Sequence, residues 1–230
     1  MSRPPLDALL RDLGHRLRRG SATSPAAPPR LPTGEPELDQ LLEGGLPCGR
    51  LSEISASPGA AQSCGRTSLA LSLLAQVTRR QELAALVDAA GAFDPSSAGS
   101  RGVQLERVLW ARPPARPEAR SALRCAERLL LARGFALVLL DLVGVAAPCE
   151  LSPVWRQLAR AAAGSGSALV VLSAGRITGS SAEIALELLA RRAHFGGSPA
   201  LFTGLESEVA LVRHRALTPR ATRALLHRVA

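Results

Sequence analysis

The chain has 230 residues, 47% of them apolar and 20% charged, enough for one good-sized domain with an appendage and its own buried core. Its net charge of +9 and pI near 11.2 favour an acidic partner, of which nucleic acid is the commonest. The four cysteines, Cys48, Cys64, Cys125 and Cys149, form no C-x-x-C pair and have no histidine cluster nearby, which argues against a zinc site or a disulfide framework and for a reducing compartment.

All 28 basic residues are arginine, a bias expected of a GC-rich genome. Charges interrupt the apolar residues of MSRPPLDALLRDLGHRLRRG, and no apolar run elsewhere approaches the length of a membrane span. The expectation is therefore a cytoplasmic protein without membrane contact, associated with the nucleoid through its charge.

In chain order, residues 4–19 predict an amphipathic helix. Leu6, Leu9, Leu10, Leu13 and Leu17 share one face, prolines open it, and Arg16, Arg18 and Arg19 close it before Gly20. So short a helix needs a surface to pack on, either its own domain or another molecule. The Pro/Ala/Ser stretch 20–32 reads as a flexible linker that sets this helix apart.

Beyond it, apolar runs at 51–56, 83–89, 107–112, 135–143 and 168–174 predict buried strands, with helices near 66–80, 117–133, 153–163 and 181–192 between them. The alternation implies an α/β fold: a mostly parallel sheet covered by helices on both faces. Residues 191–195 and 207–217 predict an antiparallel C-terminal extension. Thr218 and Pro219 would then open a short basic helix or tail over 218–230, leaving 33–217 as the core.

The stretch SPGAAQSCGRTSLALSLL, residues 57–74, has the order of a phosphate-binding loop between a strand and a helix. Such loops converge backbone N–H groups on phosphates, a lysine on the terminal ones and a hydroxyl on magnesium. Gly65 and Thr67 stand in place, but the glycine position at the correct spacing is Ala60 and the lysine position is Arg66. A planar guanidinium does not substitute for a compact ammonium inside a nest of amides. Asp141, closing an apolar strand, either orders magnesium or is a strand-end residue that binds nothing.

The pattern T-G-x-x-x-L-D followed by G-G-L-P-x-G-R-x-x-E-I, in LPTGEPELDQLLEGGLPCGRLSEI (31–54), resembles the start of the ATPase core of RecA recombinases. The likeness continues through ALVDAAGAFDP, LVLLDLVGVAAP and SEVALVRHR, to about residue 215, and implies a RecA-like fold. Against that resemblance, the position of the glutamate that activates water is Ala90, in Asp88-Ala89-Ala90-Gly91, and the polar Asn-Gln sensor is replaced by Ser173-Ala174. Both DNA-binding loops of a recombinase look cut short. Loss of base, lysine, loop spacing and sensor together predicts no catalysis and no ATP or magnesium cofactor.

What persists are docking elements. Arg213 and Arg215 fall where RecA filaments carry two lysines that reach a neighbour's nucleotide, and the helix at 4–19 stands where RecA docks on its neighbour. The combination resembles the ImuA family, RecA-like accessory proteins of the bacterial mutasome. That resemblance implies SOS-induced translesion synthesis, with RecA, the ImuB-type Y-family polymerase homologue and, indirectly, an error-prone C-family polymerase as partners. It points to residues 213–228 as the ImuB surface. Arg220, Arg223 and Arg228 there address either a partner or DNA phosphates. Two alternatives stay open: a diverged RecA-type ATPase using Arg66, Thr67 and Asp141, and a SulA-like cell-division inhibitor. Trp110 and Trp155 read as packing anchors, and the scattered histidines indicate no metal site.

Overall fold

The computed structural model describes residues 28–59, 63–112, 118–146, 152–214 and 217–228. The leucines of the N-terminal segment, Ala60 and Arg215 lie outside them, as do the linker up to residue 27 and the Arg228 side chain.

The T-G-x-x-x-L-D motif has a local structural job. Asp39 accepts from the Thr33 amide at 2.7 Å and from the Thr33 hydroxyl at 2.8 Å, fixing the chain where it enters helix α1 (Pro36–Leu41). Strands β1 (Arg30–Leu31) and β2 (Leu46–Pro47) then pair antiparallel. Gly45 lets them close: it sits at φ +114°, and a Cβ there would collide with the Leu31 carbonyl.

Eight further strands make one sheet. Strand β3 (Leu51–Ala56) leads into α2 (Arg66–Arg79), β4 (Leu83–Asp88), α3 (Pro95–Ser100), β5 (Val108–Ala111), α4 (Ala119–Ala132), β6 (Phe135–Asp141), α5 (Ser152–Ser165) and β7 (Ala168–Ser173). Then come β8 (Ile184–Gly196), β9 (Leu201–His214) and β10 (Arg220–Arg228). The spatial order is β10-β9-β8-β3-β7-β6-β4-β5. Strands β3 to β8 are parallel, and β9 and β10 each run antiparallel to the strand before.

Period-two alternation divides the core between two faces. Leu137 and Leu139 of β6, with Val170 and Leu172 of β7, pack under α2 against Leu69, Leu73 and Val77. Val138, Leu140, Leu169 and Val171 face the other way, against Leu123 and Leu130 of α4 and Trp155 and Leu158 of α5. Strands covered on both faces in this way read as continuous apolar runs, which is why β3, β4, β6 and β7 were visible in the sequence; the fifth, β5, was expected to be buried but is the sheet's edge strand, with Leu109 and Trp110 exposed.

Two expected helices are strands. Residues 181–192 were expected to be helical, yet Ile184, Leu186 and Leu188 alternate into the α2-side core as β8, held between β3 and β9. The expected C-terminal helix at 218–230 is instead β10, paired with β9 from Arg220↔Leu211 to Arg228↔Gly204, so the sheet extends well past residue 217. Both segments are rich in alanine, leucine and charged residues with good helix propensity. Strand hydrogen bonds on both edges of β8 and on one edge of β10, with burial of alternate side chains, outweigh the few tenths of a kcal/mol per residue that propensity contributes.

Candidate functional site

At the C-terminal ends of β3, β6 and β7, the loop before α2 forms a cleft of about 280 Å³ lined by Ser63, Cys64, Gly65, Arg66, Thr67 and Ser68. Val143, Phe202 and Leu205 complete its wall. This is where an open parallel sheet offers a ligand site, and the expected strand, turn and helix are all present. Gly65 is left-handed at φ +91° and caps α2. A Cβ there would lie 2.7 Å from Leu226 Cδ1 and 3.1 Å from Ser207 Oγ, because β9 and β10 pass directly over the turn. The Ser207 hydroxyl donates to the Cys64 carbonyl at 3.0 Å, tying the loop to β9. Neither Ser207 nor Leu226 was singled out by sequence, because only the antiparallel extension brings them here.

Arg66 is the central feature. Its side chain is 5% exposed and turns inward, where Nη1 donates to the backbone carbonyl of Ser173 at the end of β7. Its charge is felt by Asp141 at the end of the adjacent β6. A guanidinium therefore occupies the ground between two strand ends beneath the phosphate loop, with Thr67 beside it in the cleft lining.

Asp141 accepts from the Val143 amide at 2.9 Å. Burial pushes its carboxyl up to about 6; the Val143 hydrogen bond and Arg66 pull it down, while the negative charge of Asp88 pushes it further up. Asp88 pairs in register with Asp141 across β4 and β6 and is almost fully buried. It is occupied structurally, accepting from the amides of Ala92 at 2.9 Å and Phe93 at 3.0 Å and from Trp110 Nε1 at 3.2 Å. Trp110 packs edge-on against Phe93 at 5.3 Å and carries the Arg112 guanidinium 5.2 Å from its ring centre. Trp155 is buried in the core.

Ala90 and Ala174 are exposed, each at the C-terminal mouth of its strand, and a methyl group at either place can neither take a proton nor contact a phosphate. Behind Ala174, the connection to β8 is pinned by Glu53, the glutamate of the G-G-L-P-x-G-R-x-x-E-I pattern, whose structural role only the fold reveals. Its fully buried carboxylate accepts from the amides of Ile177 at 2.6 Å and Thr178 at 3.2 Å, and from the hydroxyls of Thr178 at 2.5 Å and Ser173 at 3.2 Å. The segment 174–183 is thus a short tied loop.

The basic candidates do not converge. Arg213 folds back to donate from Nε to the Ala182 carbonyl at 2.9 Å and from Nη2 to that of Ser180 at 3.2 Å. Arg220, on the far edge strand, donates to the Leu41 carbonyl and lies 3.9 Å from Glu43. Arg223 is exposed and 3.7 Å from Glu206. Among the described residues, no cluster of three or more His, Cys, Asp or Glu is placed to hold a metal, and no helix is long and apolar enough to cross a membrane.

The RecA N-terminal domain family matches residues 19–179. The chain belongs to that family. It is 35% identical over 148 residues to the RecA protein of Prochlorococcus marinus strain MIT 9303, a stretch covering 64% of this chain and 37% of that protein. It is also 35% identical over 118 residues to the RecA of Picosynechococcus, covering 51% of this chain and 32% of the relative. The chain therefore spans about a third of the length of these RecA relatives. Family membership agrees with the parallel sheet, the phosphate-loop frame and the antiparallel C-terminal strands.

Proposed function

We propose that this RecA-family chain is a non-catalytic adaptor of SOS-induced translesion synthesis of the ImuA type, binding an ImuB-type Y-family polymerase homologue and RecA. The observation that carries the loss of catalysis is Arg66: its buried guanidinium is bonded to the Ser173 carbonyl where the frame should leave room for a nucleotide's phosphates and cation. The alanines at 90 and 174 and the loop tied down by Ser207 point the same way. Chemistry then belongs to a polymerase partner, and this chain supplies surfaces, including the basic strand β10.

Calorimetric titration of the protein with ImuB and with RecA, each with and without ATP and magnesium, tests the reading. Micromolar or tighter binding independent of nucleotide is expected, with no heat-stabilisation of the chain by ATP. A diverged ATPase is the second reading, favoured by Thr67 beside a cleft of about 280 Å³ that stays open to solvent. It requires ATP and magnesium to stabilise the fold, by about 2.7 kcal/mol at a hundredfold excess over Kd.

A further inference from the structure

Helices α4 and α5 lie side by side on the sheet face away from α2, and the seam between them is not closed. Two clefts run along it. One, of about 380 Å³, has Leu123 as its floor, Pro153 and Val154 as its wall, and Arg120 and Arg124 on its rim. The next, of about 340 Å³, has Leu130 as its floor, Leu131 and Ala161 as its walls, and Arg133 and Arg160 on its rim. Glu127 and Gln157 border both, and Gln157 Nε2 donates to Glu127 Oε1 at 2.5 Å, forming a bridge that divides the groove in two.

The chemistry of this groove is one-sided. Among the described residues that line it, four arginines stand against one carboxylate, Glu127, which is already engaged by Gln157. Among the described residues, none of the four guanidiniums takes part in an ion pair. Leu131 stands 65% exposed at the edge of the second cleft. An apolar floor between unpaired arginines matches an apolar side chain flanked by carboxylates. Nucleic acid fits less well, because no aromatic ring among the described residues lines either cleft for a base to stack on and phosphates gain nothing from a leucine floor. The N-terminal segment of a second copy fits poorly too: residues 1–19 carry five arginines against Asp7 and Asp12, the same sign as the rim.

We infer that the α4–α5 groove is a docking site for an acidic peptide segment of a partner protein that places one apolar side chain in each cleft. A 14-residue helix is about 21 Å long, so the two clefts are centred roughly 10 Å apart. That distance separates apolar residues three apart in an extended segment, or seven apart in a helix. The site lies on a different face from β10 and stands whether or not the nucleotide cleft is dead.

The test is selection of random dodecapeptides displayed on phage against the full chain, with the Arg124→Glu, Arg160→Glu double variant as counter-target after circular dichroism has shown that it is folded. The enriched peptides are expected to carry Asp or Glu around a pair of apolar residues. By fluorescence anisotropy they should bind the double variant at least tenfold more weakly, and lose a similar factor when their apolar pair is changed to serine. Three results would overturn the inference. The first is no enrichment over the double variant, and the second is enriched peptides that lack acidic residues or keep their affinity without the apolar pair. The third is an oligo-dT strand that displaces the peptides and is itself lost by the same two substitutions, which would make the groove a nucleic-acid surface.

Discussion

Replacing Asp141 by Asn should make the protein more stable at neutral pH, and the size of the gain should depend on pH in a defined direction. In the folded protein burial raises the Asp141 carboxyl from 3.8 to about 6, despite the Val143 amide and Arg66. A folded-state pKa above the unfolded one means that the native state holds the proton more tightly. The stability linked to this group is therefore fully present below about pH 3.8 and is lost as pH rises through about 6. At about 1.4 kcal/mol per pH unit, the gap amounts to roughly 3 kcal/mol above pH 7. Asparagine keeps an acceptor for the Val143 amide but never ionises. Urea denaturation of both proteins at about pH 4.5, 6 and 7.5 should show the variant gaining relative to wild type by roughly 2 kcal/mol across that range, with most of the change below pH 6. A difference that stays constant with pH, or a variant that loses ground as pH rises, would refute the reasoning. It would mean that Asp141 is ionised throughout and held by Arg66.

Three further outcomes follow from the site. Arg66→Ala removes a charge-assisted hydrogen bond to the Ser173 carbonyl and should cost about 1.5–3 kcal/mol in chemical denaturation, whereas unchanged stability would place the guanidinium outside the fold's support. Glu53→Ala leaves the donors of Ile177 and Thr178 without their carboxylate. It should cost at least ~3 kcal/mol and speed hydrogen exchange at those two amides; exchange rates equal to wild type would show that the loop holds itself. Leu226→Ala uncovers Gly65 and should both destabilise by about 2–5 kcal/mol and quicken reaction of the buried Cys64 thiol with an aromatic disulfide reagent. If Cys64 stays as slow as in wild type, β10 is not what covers the loop.

The central strands and their order along the chain were legible because each is a continuous apolar run, and burial on both faces of a parallel sheet demands that composition. The phosphate-loop frame and its departures were also plain at the level of residue identity: Arg66 for lysine, and alanine at 90 and 174. The α4–α5 groove was not legible, since its arginines read as ordinary solvated helix faces until two helices are set side by side.

The sequence alone determined the α/β class and where along the chain the loop between β3 and α2 falls, because those depend on local pattern and residue type. Tertiary structure alone decided that 184–196 and 220–228 are strands, because ladder pairing with β3 and β9 overrides their helix propensity. It also decided where Arg66 points. Only when β3 and β7 lie adjacent does the Ser173 carbonyl meet that guanidinium, and only when β9 and β10 fold back do Ser207 and Leu226 cover the loop.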